Sequence, residues 1–61
     1  MNREQRDSVA KMRRLADALD GVVAAAKTAN KLGLAYAALM LQEAIEIYAV
    51  QCEAHYEQAG R

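Results

Sequence analysis

Residues 34–59 read LAYAALMLQEAIEIYAVQCEAHYEQA, and this stretch decides the fold. Apolar and small side chains recur in it at alternating steps of four and three, which in an α-helix keeps one side turned toward a partner helix. The chain has no proline, so nothing of that kind interrupts the pattern. We expect one long helix with a core-facing seam formed by Leu34, Ala38, Leu41, Ile45, Tyr48, Cys52, His55 and Ala59.

A second group of apolar side chains falls on roughly the opposite side of the same helix. One partner helix cannot cover both sides, and monomeric proteins seldom leave such patches bare. The residue types are those enriched at protein interfaces, so self-association and docking of a different protein are both open interpretations. The predicted dimer or partner interface consists of Tyr36, Leu39, Met40, Ile47 and Val50.

The chain has 61 residues, which is enough for a single small domain. A domain of this size buries only about 60% of its unfolded surface, and small domains commonly add disulfides, a metal or oligomerisation. One cysteine and one histidine exclude an internal disulfide and leave too few ligands for a zinc site within one chain. We therefore predict a homodimer.

The charges are balanced in number but not in position. Residues 1–31 carry seven Lys and Arg against four acidic residues, a net charge of +3, and residues 32–61 carry one Arg against four Glu, a net charge of −3. The neutral total does not indicate a general nucleic-acid binder. Two segments of opposite sign attract each other weakly when they lie side by side.

Targeting and membrane signals are not evident in the sequence. No apolar run approaches the ~18 residues that a bilayer span needs, and the first residues are charged, unlike a signal peptide. A single unpaired cysteine is compatible with a reducing compartment. We expect a soluble, cytoplasmic protein without a membrane partner.

Good helix formers dominate the composition, which predicts an all-α fold. Asn2 followed by Gln5 forms a variant of the capping box, so the first helix is expected over about residues 3–29. Its core stripe is predicted to be widened by Leu15, Val22 and Ala29. The stripe itself repeats at steps of three and four through Val9, Met12, Ala16, Leu19, Val23 and Ala26.

Gly21 leaves two interpretations of the first helix. Glycine inside a helix costs about 1 kcal/mol relative to alanine, and Asp20 before it makes a turn signal. Either the helix ends there, or Gly21 lies within it and lets a neighbouring backbone approach closely. The apolar spacing passes from Leu19 to Val23 without a change of phase, which favours a continuous helix.

The strongest break in the chain lies at about residues 30–33. Asn30 and Gly33 are of the two residue types that most easily take the left-handed conformation at a helix C-terminus. A second helix is then expected over about residues 34–58, with Gly60 as its stop. A turn this short requires the two helices to run antiparallel.

The resulting plan, a helical hairpin with heptad seams, is similar in architecture to the Rop-type homodimeric four-helix bundle. Rop-like proteins bind RNA through one helical face, so the resemblance implies an alternative function as an RNA-binding hairpin. Phosphate contacts would then come from the basic side of the first helix. The possible nucleic-acid contacts are Arg3, Arg6, Arg13 and Arg14.

No residue pattern indicates catalysis, a cofactor or a metal. Cys52 and His55 have the spacing of two metal ligands on one helix, but both fall on the predicted core seam, where such residues usually pack. The glutamates of the second helix are expected to face solvent. We predict a small non-enzymatic regulatory protein, an adaptor or inhibitor, that binds another protein through a helical surface as a homodimer.

Overall fold

The computed structural model describes residues 1–59, which form two α-helices and no strand: α1, Arg3–Thr28, and α2, Leu32–Ala59. The helices lie antiparallel in a hairpin whose Cα atoms extend over 48 × 15 × 8 Å. Its radius of gyration is 14.3 Å, whereas a compact domain of this length has about 10.5 Å. The predicted helical hairpin is confirmed, and its shape is elongated rather than globular.

The predicted capping box begins α1. The backbone N–H of Gln5 donates to Oδ1 of Asn2 at 2.8 Å, and the N–H of Asn2 donates to Oε1 of Gln5 at 3.0 Å. Two backbone donors that the first turn leaves free are thereby satisfied, a contribution of about 1 kcal/mol. Glu4 in the same turn also suits the positive end of the helix dipole.

The helix continues through Gly21, as the apolar spacing predicted. A Cβ built at Gly21 would meet nothing within 4 Å. The close approach that the sequence suggested for this glycine is therefore not made by α2. Gly21 lies on the exposed side of α1, where the lack of a side chain serves no contact within the hairpin.

The turn is built on Asn30, which has a φ of 59°. Its N–H donates to the carbonyl of Lys27 at 3.0 Å, and the N–H of Lys31 donates to the carbonyl of Ala26 at 2.8 Å. This pair of bonds is the Schellman motif, which satisfies the last carbonyls of a helix. Gly33 instead lies in the first turn of α2, which begins two residues before the predicted start. The predicted stop at Gly60 lies outside the described residues.

The core side of α1 follows the predicted stripe. Val9, Ala16 and Ala26 are buried, and the residues between them at the same spacing, Met12, Leu19 and Val23, are half-buried. The predicted widening of the stripe is wrong within the hairpin. Its three residues, Leu15, Val22 and Ala29, are exposed.

The core side of α2 is the predicted seam displaced by one residue at every second position. Ala35, Ala38, Gln42 and Ala49 are buried, and Ile45, Cys52 and Tyr56 are half-buried. The predicted core positions were wrong for five exposed residues: Leu34, Leu41, Tyr48, His55 and Ala59.

Small side chains explain this choice of seam. Alanine removes bulk between two helices and lets their backbones approach closely, and buried alanines occur on both helices, at Ala16, Ala38 and Ala49. Larger side chains such as Leu41 and Tyr48 then lie beside the contact instead of inside it. Ala49 is 0% exposed, which shows how tightly the two helices close over this position.

Candidate functional site

The five predicted interface residues lie together on the exposed part of α2. We call Tyr36, Leu39, Met40, Ile47 and Val50 the outer ridge. Helical spacing places four of them on the side of α2 that is turned away from α1, and Leu39 at the edge of that side. Tyr36 is 66% exposed and Ile47 is 59% exposed. The ridge is therefore an apolar surface that its own chain leaves largely uncovered.

The outer ridge has the length of a helix-binding surface. From Tyr36 to Val50 it follows fourteen residue steps, or about 21 Å at the helical rise. Near its C-terminal end, Ile47 and Val50 line a shallow groove together with Glu46 and Gln51. Steps of three, four and seven residues between apolar side chains are those by which helices recognise one another.

All the charged residues of α2 are glutamates. Glu43 and Glu57 share a heptad position with Tyr36 and Val50. Glu46 and Glu53 share one with Leu39, so all four glutamates lie beside or within the line of the ridge. No Lys or Arg occurs in α2 to neutralise them. The outer ridge is therefore an apolar surface with an acidic border formed by Glu43, Glu46, Glu53 and Glu57, of which Glu53 is paired with Arg13 of α1.

A second apolar surface was not recognised from the sequence as an exposed site. Leu34, Leu41 and Tyr48 are spaced by seven residues, and each directly precedes a buried position of α2. Leu15 and Val22 have the same relation to the buried side of α1. The spacing of seven shared by both helices was a signal that could have found it. We call this set of five residues the apolar face.

The opposite broad face of the hairpin is polar. Arg13 and Glu53 form an ion pair across the two helices at 3.1 Å, and Gln42 donates from Nε2 to Oδ1 of Asp20 at 2.6 Å. The ion pair joins the positively charged half of the chain to the negatively charged half. Both of its side chains are well exposed, so it contributes only about 0.5 kcal/mol.

The candidate RNA-contacting arginines lie in the first half of α1. Arg3, Arg6, Arg13 and Arg14 are all exposed, and their spacing keeps them within one side of the helix. Carboxylates lie beside them, since Arg13 bonds to Glu53 and shares a shallow depression with Asp17 and Glu46. The basic side is thus partly neutralised where it meets α2.

Cys52 and His55 do not share the position that the sequence predicted. Cys52 is half-buried with a free thiol, whereas His55 is exposed and its ring lies 6.1 Å from that of Tyr56. Within residues 1–59, no group of three or more His, Cys, Asp and Glu side chains is placed to hold a metal ion.

The second helix is long and apolar enough to cross a membrane, with a mean hydropathy of 1.2 over its most apolar window. From the sequence we expected no segment long enough to span a bilayer, because no uninterrupted apolar run has that length. A membrane span, however, tolerates a few charged residues such as Glu43 and Glu46. Helices that form subunit contacts have the same length and composition. This property is weak evidence for a membrane and does not locate the protein, so a cytoplasmic location stays a prediction.

Comparison with protein-family models, curated proteins and solved structures finds no match for this chain. Function is therefore inferred from the surfaces of the hairpin itself. Three surfaces differ in chemistry: the acid-bordered outer ridge, the uncharged apolar face and the polar face that carries Arg13 and Glu53.

Proposed function

We propose that this chain is a non-enzymatic adaptor or inhibitor that binds another protein through α2 and acts as a homodimer. The observation that carries the proposal is the exposure of the outer ridge. Its residues are apolar, they follow helical spacing, and Met40 and Ile47 are both more than half exposed. Leaving such a surface in water costs free energy that a docking partner recovers by covering it.

The chemistry of the ridge supports one kind of partner. An apolar stripe bordered by Glu43 and Glu46 is complementary to an amphipathic helix with leucines on one side and lysines or arginines along its flanks. The apolar contacts would supply most of the affinity, because rim charges at an exposed border contribute more to orientation and association rate. Such a complex depends only modestly on salt.

A synthetic peptide of this design tests the proposal. The labelled peptide carries leucines at helical spacing and flanking lysines, and its binding is measured by fluorescence anisotropy against a scrambled peptide of the same composition. We expect the wild-type protein to prefer the designed order, and Ile47→Asp to weaken binding at least tenfold. Equal binding of both peptides, or unchanged binding by Ile47→Asp, contradicts the proposal.

A matched variant tests whether Ile47→Asp weakens binding because of its position on the outer ridge or because of the added negative charge alone. Ala24→Asp adds the same charge at an exposed position of α1, away from the outer ridge, and is expected to bind the peptide as wild type does. Circular dichroism of both variants checks that the hairpin remains helical. Equal loss of binding in Ala24→Asp and Ile47→Asp would show that the peptide responds only to net charge.

RNA binding through Arg3, Arg6, Arg13 and Arg14 is the second candidate function. The exposure of all four guanidinium groups on one side of α1 favours it. The ion pair of Arg13 with Glu53 and the absence of aromatic residues from α1 disfavour it, because base stacking has no platform there.

Charge reversal distinguishes the two functions. Under RNA binding, Arg6→Glu with Arg14→Glu abolishes retardation of an RNA hairpin in a gel, and the affinity of wild type falls steeply with salt. Under protein binding, this double variant still binds the designed peptide while Ile47→Asp does not. The two variants thus report on opposite sides of the molecule.

A further inference from the structure

The apolar face lies on a single broad side of the hairpin. In α2, Leu41 and Tyr48 each precede a buried residue by one position, and in α1 Leu15 does the same. In an antiparallel helix pair, positions that directly precede the first core position of each heptad flank the contact on one common side. Side chains from both helices therefore contribute to one continuous surface.

The Arg13–Glu53 ion pair marks the opposite side. Leu15 follows Arg13 by two residues, which is about 200° around the helix. Tyr48 likewise follows Glu46 by two residues. The hairpin thus has charged groups on one broad side and none among the five side chains of the other: Leu15, Val22, Leu34, Leu41 and Tyr48.

We propose that a second copy of this chain covers the apolar face, stacking the two hairpins into a four-helix bundle through Leu15, Val22, Leu34, Leu41 and Tyr48. This inference rests on the proposed function, which includes a homodimer, and names the face that forms it. The dimer contact and the partner-binding outer ridge are then different surfaces of the hairpin. The sequence left open whether the outer ridge serves self-association or a different protein, and the ridge stays exposed when the hairpins stack in this way.

The exposed surface area of the hairpin supports a second copy of the chain as the cover of the apolar face. The hairpin exposes 4686 Å², and a folded monomer of its 6.7 kDa mass exposes about 3,900 Å². The excess of roughly 800 Å² matches what each partner buries in a standard protein interface. Pairing of two identical hairpins would bring the exposed area per chain down to that of an ordinary small protein.

The absence of charge from the five residues of the apolar face favours self-association in particular. A two-fold dimer places the same face against itself, so a charge near the axis would meet its own copy and a charge elsewhere would be buried against an apolar side chain. Helices of four-helix bundles carry apolar residues at two core positions and one flanking position of each heptad. Leu41 and Tyr48 supply that flanking position beside the alanine seam.

Two tyrosines provide an internal comparison that needs no substitution. Tyr36 on the outer ridge and Tyr48 on the apolar face are 66% and 59% exposed in the hairpin. Nitration with tetranitromethane, located by mass spectrometry, is expected to modify Tyr48 at least fivefold more slowly than Tyr36 in the dimer. Equal rates in a protein of dimeric mass, or slower nitration of Tyr36, would overturn the proposal.

Light scattering after size exclusion gives the second readout. Wild type and Ile47→Asp are expected to have dimeric mass, and Leu41→Asp to lose it at the same protein concentration, with circular dichroism recording its helicity. A monomeric wild type, or an Ile47→Asp variant that is monomeric while Leu41→Asp stays dimeric, refutes the assignment. If Leu41→Asp loses its helicity, the mass of wild type and the nitration ratio of its Tyr36 and Tyr48 still decide the assignment.

Lipid is the competing cover for this face. Co-sedimentation of wild type with phosphatidylcholine vesicles, together with protection of Tyr48 only when vesicles are present, would overturn the proposal. Failure of the dimer would leave the designed peptide still bound by the outer ridge. Failure of peptide binding with a protected Tyr48 would instead refute the adaptor proposal and keep the dimer.

Discussion

Nε2 of Gln42 lies 2.8 Å from the backbone carbonyl oxygen of Ala16, in the middle of a helix contact made largely by alanine. The same nitrogen donates to Oδ1 of Asp20 at 2.6 Å. One buried amide of α2 is therefore held by two oxygens of α1. A polar group at a core position fixes the register of packed helices, because any sliding would leave it without partners in a dry contact.

Replacing Gln42 tests this contact. Gln42→Ala removes both hydrogen bonds and leaves a small void, so we expect the free energy of unfolding to fall by about 1–2 kcal/mol. Urea denaturation at one fixed protein concentration measures it. Gln51→Ala, at an exposed position of the same helix, is expected to change stability by less than about 0.5 kcal/mol.

A double-mutant cycle isolates the bond to Asp20. We expect Asp20→Ala and Gln42→Ala together to cost less than the sum of the single changes, with a coupling of about 1 kcal/mol. Strict additivity would mean that the 2.6 Å contact adds nothing to stability.

The alanine seam predicts sensitivity to added volume. Ala49 is fully buried between the helices, so Ala49→Leu must push them apart and is expected to cost about 1–3 kcal/mol. Ala54→Leu adds the same atoms at an exposed position of α2. Thermal unfolding of both variants should lower the midpoint only for Ala49→Leu; a similar midpoint for the two would contradict close packing at this seam.

Gly21 predicts a gain of stability. Nothing lies within 4 Å of a Cβ at this position, so Gly21→Ala is expected to add about 0.5–1 kcal/mol by restricting the unfolded chain and favouring the helix. Chemical denaturation measures the gain. A loss of stability or of dimeric mass would reveal that a backbone of another chain approaches Gly21.

The turn predicts a difference between two substitutions of Asn30. Its φ of 59° suits asparagine and glycine, whereas a β-branched residue is strained there by about 1–2 kcal/mol. We expect Asn30→Val to lower the free energy of unfolding by that amount and Asn30→Gly to leave it nearly unchanged. Equal stability of the two variants would argue against a left-handed residue at this turn.

Local features of the fold were predictable from the sequence. The capping box of Asn2 and Gln5, the left-handed residue at Asn30 and the core stripe from Val9 to Ala26 each depend on a few neighbouring residues. In α1 only one side combines apolar residues at the required spacing without charges, so its core side had a single solution.

The core side of α2 was predictable only in part. The predicted core positions Ala38, Ile45 and Cys52 are indeed buried or half-buried. Every second predicted position, however, falls on a large residue such as Leu41, whereas the buried residue is its neighbour, Gln42. A helix with apolar residues on several sides offers more than one stripe of the same spacing. Hydrophobicity favoured leucine and tyrosine, and close packing favoured alanine.

The candidate surfaces were also predictable from the sequence only in part. The sequence identified Tyr36, Met40 and Ile47 as unlikely to be covered by α1, and they are exposed. It placed Leu41 and Tyr48 on the core seam, and they are exposed instead, because the rotation of α2 about its own axis cannot be read from spacing alone. Only that rotation shows that the apolar side chains of α2 belong to two surfaces.

The sequence by itself determined two helices, the capping box of the first, the turn at Asn30 and the opposite charges of the two halves, because propensity, capping and turn conformation act over a few residues. The tertiary structure decided which side of residues 34–59 faces α1. Small buried residues on both helices, such as Ala16 and Ala49, let the helices lie close enough for Gln42 to reach across. Leu34, Leu41 and Tyr48 are thereby left on the surface.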